Sequence, residues 1–531
     1  MGKIAIYDTT LRDGSQGEGI SFSTTGKLRV AERLDAFGVD YIEGGYAASN
    51  PKDMAFFQEA RKLQLTHARI AAFGSTRRPG RPVGEDPGVL ALMEADTPVV
   101  TFFGKSWKLH VRDVLNTTPE ENLAMIADTV RCFKERGREV IYDAEHFFDG
   151  YKDDPEYAIA TLRAAAEAGA DWLVPCDTNG GSLPHEVHAI MAELGRRFDT
   201  RLGIHTHDDS GLGVANSLEA VRAGALQVQG TMNGFGERCG NANLVSVIPN
   251  LLLKMDADCL RKGRESLKQL REVSYFVNEL ANQRPNHKAP FIGDSAFAHK
   301  AGMHVDGVRK NPRSFEHIDP ASVGNKRRIL ISELSGASNV LLKAVEMNFN
   351  FEKSSAETRD VLHELERLEK EGYEFEAAEA SFKLLVQKVL KAHRPFFKLA
   401  GFRVIAEKSD AGSPCRSEAT VKVEVGGVVE HTVAEGDGPV NALDGALRKA
   451  LMRFYPQIAE VVLTDYGVRI LDPEEHTAAK TRVLIESTDG RDTWSTVGVS
   501  DNIIEASWEA LVDSVEYKMF LDEQRSNEAG A

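Results

Sequence analysis

The sequence predicts an α/β protein whose first half closes into a (β/α)8 TIM barrel, followed by helical linker segments and a C-terminal α+β domain. Three observations carry this. Over roughly the first 250 of 531 residues, short apolar runs alternate with amphipathic helical stretches. Eight such runs are present, and polar residues collect directly after them, where a barrel places its reactive groups. Beyond Phe396 the pattern changes to strands and turns.

The strand candidates begin near Ile4, Tyr41, Arg69, Pro98, Glu139, Trp172, Leu202 and Gln227. Helix-like stretches lie between them at Thr25 to Phe37, Pro119 to Arg136, Pro155 to Ala168, Leu183 to Phe198 and Leu212 to Ala223. A doubly wound sheet is the alternative, but eight units and the lack of a GxGxxG after the first run disfavour it. The expected division is a barrel over 1–275, linker subdomains over 285–390 and a C-terminal domain over 391–525. Phe351 to Val389 is charged and helix-patterned. Ala419 to Val425 and Val428 to Ala434 form a hairpin around Gly426-Gly427, with a helix running to Phe454. Arg482 to Ser487 and Thr493 to Val499 repeat this around Asp489-Gly490, followed by a helix from Asn502 to about Phe520. Setting Asn441 on Asn502 places Leu443 on Ile504, Leu447 on Trp508 and Ala450 on Leu511, an internal β-rich/helix repeat.

Arg12 and Asp13 follow the first strand. The guanidinium can hold a carboxylate or an oxyanion, and the carboxylate can bind a cation; a surface ion pair is the plainer reading. His205 and His207 end the seventh strand, where residues two apart share a face, so both imidazoles can reach one metal ion. Two histidines and a distant carboxylate make a three-ligand set with open positions, against the alternative of core histidines bonded to backbone carbonyls. Glu43-Gly44-Gly45, Glu145-His146, Asp177 to Gly181 and Asn233 to Asn243 follow other strands.

Composition narrows the class. The net charge of -16 argues against nucleic-acid or anionic-membrane binding through bulk charge, so an anionic substrate needs local cations. No apolar run approaches the roughly 20 residues of a membrane span, and no signal peptide opens the chain. The five cysteines are scattered without CxxC, which indicates neither a disulfide framework nor a thiolate zinc site. A cytoplasmic location is expected.

The strings DTTLRDGSQ, HTHDD and NGFGERCGNANL resemble the signature elements of the DRE-type metal-dependent barrel family. Its members condense acyl-CoA with 2-oxo acids or cleave the reverse products. DGSQGEGISFS, SNPKD, FGSTRR, YDAEHFFDGYK and CDTNGG are similar to its citramalate synthase branch, a relative of the 2-isopropylmalate and homocitrate synthases. The resemblance implies acetyl-CoA and pyruvate as substrates and a divalent cation (Mn, Mg, Zn or Co). It makes Asp13, His205 and His207 metal ligands, with Asn241 at or near the coordination shell. It gives Arg12 the acceptor oxyanion, Thr178 the pyruvate carboxylate and Glu145 a catalytic part near Arg12 or the acetyl group. Glu43 is expected to orient other groups, and Glu237-Arg238 to form an internal ion pair. Glycines 234, 236 and 240 permit close backbone approach to a ligand.

The resemblance also places the base outside the barrel, in Ser295 to Asp306, with His304 as the match, His299 as its rival and Asp306 as a possible orienter. Two departures stand out. Phe315 occupies the place of the family's usual tyrosine and cannot donate its hydrogen bond. Tyr46-Ala47-Ala48 replaces a more usual Trp-Pro-Gly.

The repeated C-terminal domain resembles the regulatory domain of this group, which implies isoleucine as effector and a homodimer; a dimerisation domain without ligand is the alternative. The expected reaction joins acetyl-CoA, pyruvate and water to (R)-citramalate and CoA. Weighed beside it are a 2-isopropylmalate synthase using 2-oxoisovalerate, a retro-aldol lyase and a catalytically silent metabolite sensor.

Overall fold

In the computed structural model, which describes residues 2–49, 51–300, 302–330, 356–375, 378–390, 393–408, 410–471 and 479–529, eight parallel strands close on themselves in chain order. They are β1 Ala5–Asp8, β2 Tyr41–Tyr46, β3 Arg69–Ser75, β4 Val99–Lys105, β5 Glu139–Glu145, β6 Trp172–Asp177, β7 Arg201–Thr206 and β8 Gln227–Gly230. The circle shuts where Ala5 pairs with Gln227 and Asp8 with Gly230. Each strand begins within one residue of its predicted start, because a strand covered on both faces reads as an uninterrupted apolar run.

The inward side chains form layers. Tyr7, Tyr41, Ala71, Val99, Ile141, Trp172, Val174 and Cys176 fill the lower barrel. On β4 and β5 the next inward positions are Thr101, Phe103 and Lys105, and Asp143 and Glu145, rising to the C-terminal mouth. Outside, residues such as Val30, Leu34, Phe37, Ile126, Val130 and Leu162 bury the helices against the barrel.

Helix starts follow a repeated local rule. Thr118 accepts a hydrogen bond from the Glu121 N–H ahead of Pro119, and Asp154 does the same for Tyr157 ahead of Pro155. An oxygen cap satisfies a donor the helix cannot, and proline loses nothing in the first turn; such a cap contributes about 1 kcal/mol.

By contacts the chain divides into two units, Met1–Phe297 with His317–Arg327, and Ala298–Glu316 with Arg328–Ala531. The second unit contains the short parallel pair β9 Ala298–His299 and β10 Arg328–Ile329. Its helices Ala356–Glu371 and Glu379–Val389 occupy the charged linker; positions 351–355 and 376–377 of that predicted segment lie outside the described residues. Two antiparallel sheets follow, β11 Lys398–Glu407 with β12 Arg416–Val425 and β13 Val428–Gly436, then β14 Val462–Ile470 with β15 Thr481–Thr488 and β16 Thr493–Ser500. Helices Pro439–Leu451 and Ile503–Ala529 complete the two copies, so the repeat is βββα. The equated residues Leu443, Leu447, Ala450, Trp508 and Leu511 all lie in one buried cluster. The first strand of each copy escaped the periodicity because β11 and β14 each carry a bulge and expose most of their residues. Among the described residues, no helix is long and apolar enough to cross a membrane.

Candidate active site

The turn after β1 is built by its own first residues. Asp8 accepts from the Thr10 N–H at 2.9 Å and from its hydroxyl at 3.0 Å, while Thr10 Oγ1 accepts from Met232 N at 2.8 Å. Thr9 Oγ1 donates to the Gly230 carbonyl at 3.1 Å. This pins the turn to the end of β8 and delivers Arg12 and Asp13 to the mouth. Asp8 is therefore a scaffold residue, a part that its position beside two threonines could have signalled.

Asp13, His205 and His207 are all buried, and one ligand atom from each lies within 4.8 Å of the others. The two imidazole centroids are 5.2 Å apart, His205 within β7 and His207 one residue past its end in an isolated bridge to Asn241. His205 Nδ1 faces Gln229 Oε1 at 3.0 Å, and Gln229 Nε2 donates to Asp143 at 2.9 Å. That chain fixes the His205 ring and leaves Nε2 toward Asp13, 3.4 Å away. Asn241 Nδ2 donates to Asp13 Oδ2 at 2.7 Å. Asn241 Oδ1 and His207 Nδ1 are buried with no hydrogen-bond partner. A buried imidazole nitrogen without a partner, in a cluster with a carboxylate and a second imidazole, fits a bound cation.

The electrostatics agree with that fit. Burial drives the Asp13 carboxyl up, but Arg12, the two imidazoles and Asn241 outweigh it and hold it at about 2. Burial, aided by His205, pushes His207 down to about 4, and burial also lowers His205 against the pull of Asp13. An ionised carboxylate and two neutral imidazoles are the protonation states a divalent cation needs.

Arg12 is mostly buried, its side chain 10% exposed, and held in a fixed pose. Its Nε donates to Glu43 Oε1 at 2.5 Å, its NH1 is 3.4 Å from Asp13, and its guanidinium lies 3.6 Å over the Phe73 ring. Glu43 also accepts from the Tyr7 hydroxyl at 2.7 Å. The orienting carboxylate is thus Glu43; Glu145 is bonded to Lys105 instead. Lys105 was not singled out in the sequence, although its place two residues beyond Phe103 puts it on the inward face.

Thr178 follows β6. The His146 N–H donates to its Oγ1 at 2.9 Å, which leaves the hydroxyl proton free to be given elsewhere. His146 has φ 57°, a left-handed conformation uncommon outside glycine that turns this N–H toward Thr178. Arg238 pairs chiefly with Asp209, at 2.7 and 2.9 Å, and donates to the Thr178 carbonyl at 2.8 Å, whereas Glu237 stands 3.7 Å away. The expected Glu237–Arg238 pair is therefore secondary, because Asp209 presents both carboxylate oxygens to the guanidinium.

His304 lies in the second unit, exposed, with its ring stacked on Phe315 at 4.3 Å between centroids. Asp306 is bonded to Lys310 at 2.6 Å. His299 is buried and bonded to Glu316 at 3.1 Å, which gives it a structural setting.

Comparison with known proteins agrees with this layout. Residues 3–277 match the HMGL-like family, 291–372 the homocitrate synthase post-HMGL domain-like family and 376–519 the LeuA allosteric (dimerisation) domain. An (R)-citramalate synthase from Aquifex aeolicus is 54% identical over 523 residues, covering 98% of this chain and 99% of the relative. One from Geobacter sulfurreducens is 52% identical, covering 99% of each. A 2-isopropylmalate synthase from Methanocaldococcus jannaschii is 29% identical, covering 97% of this chain and 94% of that one. With an HMGL-like barrel carrying the site and full-length likeness to these enzymes, the chain belongs to the HMGL-like family, in its (R)-citramalate synthase branch.

Proposed function

We propose that this protein condenses acetyl-CoA with pyruvate and water to give (R)-citramalate and CoA, at the start of a pyruvate route to isoleucine. One observation carries the reading: Arg12 and the Asp13–His205–His207 set share a carboxylate at the barrel mouth, so the cation site and a fixed guanidinium face the same space. The full-length likeness to (R)-citramalate synthases supports it.

Asp13, His205 and His207 hold the divalent cation, with Asn241 beside them. When bound, such a cation acts as a Lewis acid toward the 2-oxo acid. The mixed imidazole and oxygen donor set accepts Mn, Mg, Zn or Co, which metal analysis and reconstitution distinguish. Arg12 stabilises the negative charge that grows on the acceptor oxygen during attack, and its pose needs no rearrangement. Thr178 donates its free proton to the pyruvate carboxylate. The reaction needs one proton taken from the acetyl methyl and another from water; His304 and Glu145 are the acid–base groups assigned to these transfers. The wall beside Arg12, where Phe73 stacks on Phe103 at 5.7 Å and meets Tyr46 edge-on at 5.8 Å, favours a small acceptor.

The C-terminal domain is assigned a homodimer interface and isoleucine feedback, supported by its match to an allosteric (dimerisation) domain. The enzyme is assigned to the cytoplasm, with no nucleic-acid or membrane partner.

The test supplies purified protein and a divalent metal with acetyl-CoA and a panel of 2-oxo acids while thiol release is followed. Release with pyruvate and recovery of citramalate are expected. Preference for 2-oxoisovalerate would assign 2-isopropylmalate synthesis instead, and isoleucine binding without any release would assign a sensor.

A further inference from the structure

Two cations line one side of the barrel mouth, and the reaction above uses only one. Arg12 lies over Phe73 and bonds Glu43. Lys105 lies over Phe103, 5.2 Å from the ring centroid, and bonds Glu145. The two rings are stacked, so a continuous row runs from Arg12 through Phe73 and Phe103 to Lys105.

We infer that Lys105 is a positioning residue of this active site, holding the Glu145 carboxylate in one pose and balancing its charge. The inference rests on the reading that Glu145 takes part in proton transfer. Its geometric basis is the register of the barrel. Lys105 ends β4 and Glu145 ends β5, and the two are direct partners across the sheet. Both lie on the inward face, Lys105 above Thr101 and Phe103, Glu145 above Asp143. Asp143 leads through Gln229 to His205, so Glu145 stands one layer above the residues that fix a metal ligand.

The backbone under the pair is tied down from both sides. Ser106 N donates to the Glu145 carbonyl at 3.2 Å, and Asn122 Nδ2 donates to the Lys105 carbonyl at 2.8 Å. The side chains are only 14% and 23% exposed. An exposed ion pair contributes little, but this one lies at the mouth, where bound substrate removes more of its water. Pyruvate and acetyl-CoA both bring negative charge. An unbalanced carboxylate there would oppose both and would rotate freely about its side-chain torsions. The ammonium removes the charge imbalance and selects one rotamer, while Phe103 supports the lysine from below.

The experiment compares K105M, K105Q and K105R in the full-length, metal-loaded enzyme, alone and combined with E145Q, with thermal unfolding followed alongside. K105M and K105Q are expected to lower kcat about 10- to 100-fold, part of what an acid–base group contributes, with a smaller rise in KM for pyruvate, about three- to tenfold, from the carboxylate left unbalanced. K105R should recover kcat to within about fivefold, because a cation remains. In the E145Q background, K105M should cost less than about twofold more, since the group it positions is already disabled. Wild-type kcat in both neutral variants, or the same loss with and without E145Q, would overturn the assignment. If the wild-type enzyme releases no thiol with pyruvate, the functional reading fails first and this assignment falls with it.

Discussion

Asn241 donates to Asp13 through Nδ2 at 2.7 Å, while its own Oδ1 is buried without a partner. The Nδ2 end of the amide orients Asp13 and lies 3.4 Å from His205 Nε2, while the oxygen end packs against Gly236. Replacing Asn241 by alanine should therefore weaken divalent-cation binding about 10- to 100-fold, the range seen when groups supporting a metal ligand are lost. Asp13→Ala should abolish stoichiometric binding. Calorimetric titration of the chelator-treated protein checks both, and wild-type affinity in N241A would remove the amide from the site.

Gly236 makes that amide's position possible. Its φ is +151°, and a Cβ there would collide with Asn241 Oδ1. Gly236→Ala should match Asn241→Ala in lost metal affinity and in lowered kcat, with a further stability loss of about 1–3 kcal/mol from the strained backbone. Unchanged metal binding in G236A would mean that the loop relaxes without moving the amide.

Glu43 is the buried partner that keeps Arg12 in place, through Nε at 2.5 Å, and it is itself held by Tyr7 at 2.7 Å. Removing Glu43 leaves Arg12 with Asp13 as its anionic partner, so the cost stays below the roughly 3–5 kcal/mol of a buried charge left wholly unpaired. Glu43→Ala should show that loss in denaturant unfolding together with a large fall in kcat. Tyr7→Phe removes a hydrogen bond to Glu43 and another with Thr101 Oγ1 at 2.7 Å, and the bond to the charged group alone should cost about 1.5–3 kcal/mol. Equal stability of E43A and wild type would contradict the geometry.

Much of this arrangement is legible in the sequence, and its limits are physical. Most strands of the barrel carry a short apolar run near their N-terminal ends, so their starts near Tyr41, Arg69, Glu139, Trp172 and Gln227 are readable from local pattern. His205 and His207 are readable because a strand has a period of two. Glu43 as the partner of Arg12, and Lys105 as the partner of Glu145, depend on which strands lie side by side and at what register. Local pattern carries no such information, since a glutamate at a strand end looks alike whichever cation it meets. Asp8 shows the reverse difficulty: its motif looks chemical, yet its carboxylate bonds only Thr10.

Asp8 also sets a pH dependence of stability. Burial pushes its carboxyl from 3.8 up to about 7, against the two bonds from Thr10. Below pH 4 the group is protonated in both folded and unfolded chains and costs nothing. Between pH 4 and 7 the unfolded chain loses the proton while the folded chain keeps it, so stability falls as pH rises, by a few kcal/mol in all. Above about pH 7 the contribution is constant. Asp8→Asn preserves size and an acceptor but has no proton to lose. Relative to wild type, D8N should gain stability between pH 4.5 and 7.5 in urea unfolding; a constant difference between the two proteins would assign the pH dependence elsewhere.

The proposed acceptor selectivity rests on the aromatic wall. Phe73 carries Arg12 on its face and cannot be shortened without loosening the guanidinium, but Phe103 touches the site through Phe73 and Lys105 and can be changed more cleanly. One or two methyl groups in an apolar pocket are worth about 1–3 kcal/mol, or 10- to 200-fold. Phe103→Leu should therefore raise kcat/KM for 2-oxobutanoate relative to pyruvate by about tenfold. Phe103→Ala should extend the gain to 2-oxoisovalerate at some loss of kcat, since Lys105 then lacks its ring support. The measurement is thiol release on the acceptor panel, with KM and kcat separated for each 2-oxo acid. If the pyruvate preference survives both substitutions, the wall beside Arg12 is not what limits the acceptor.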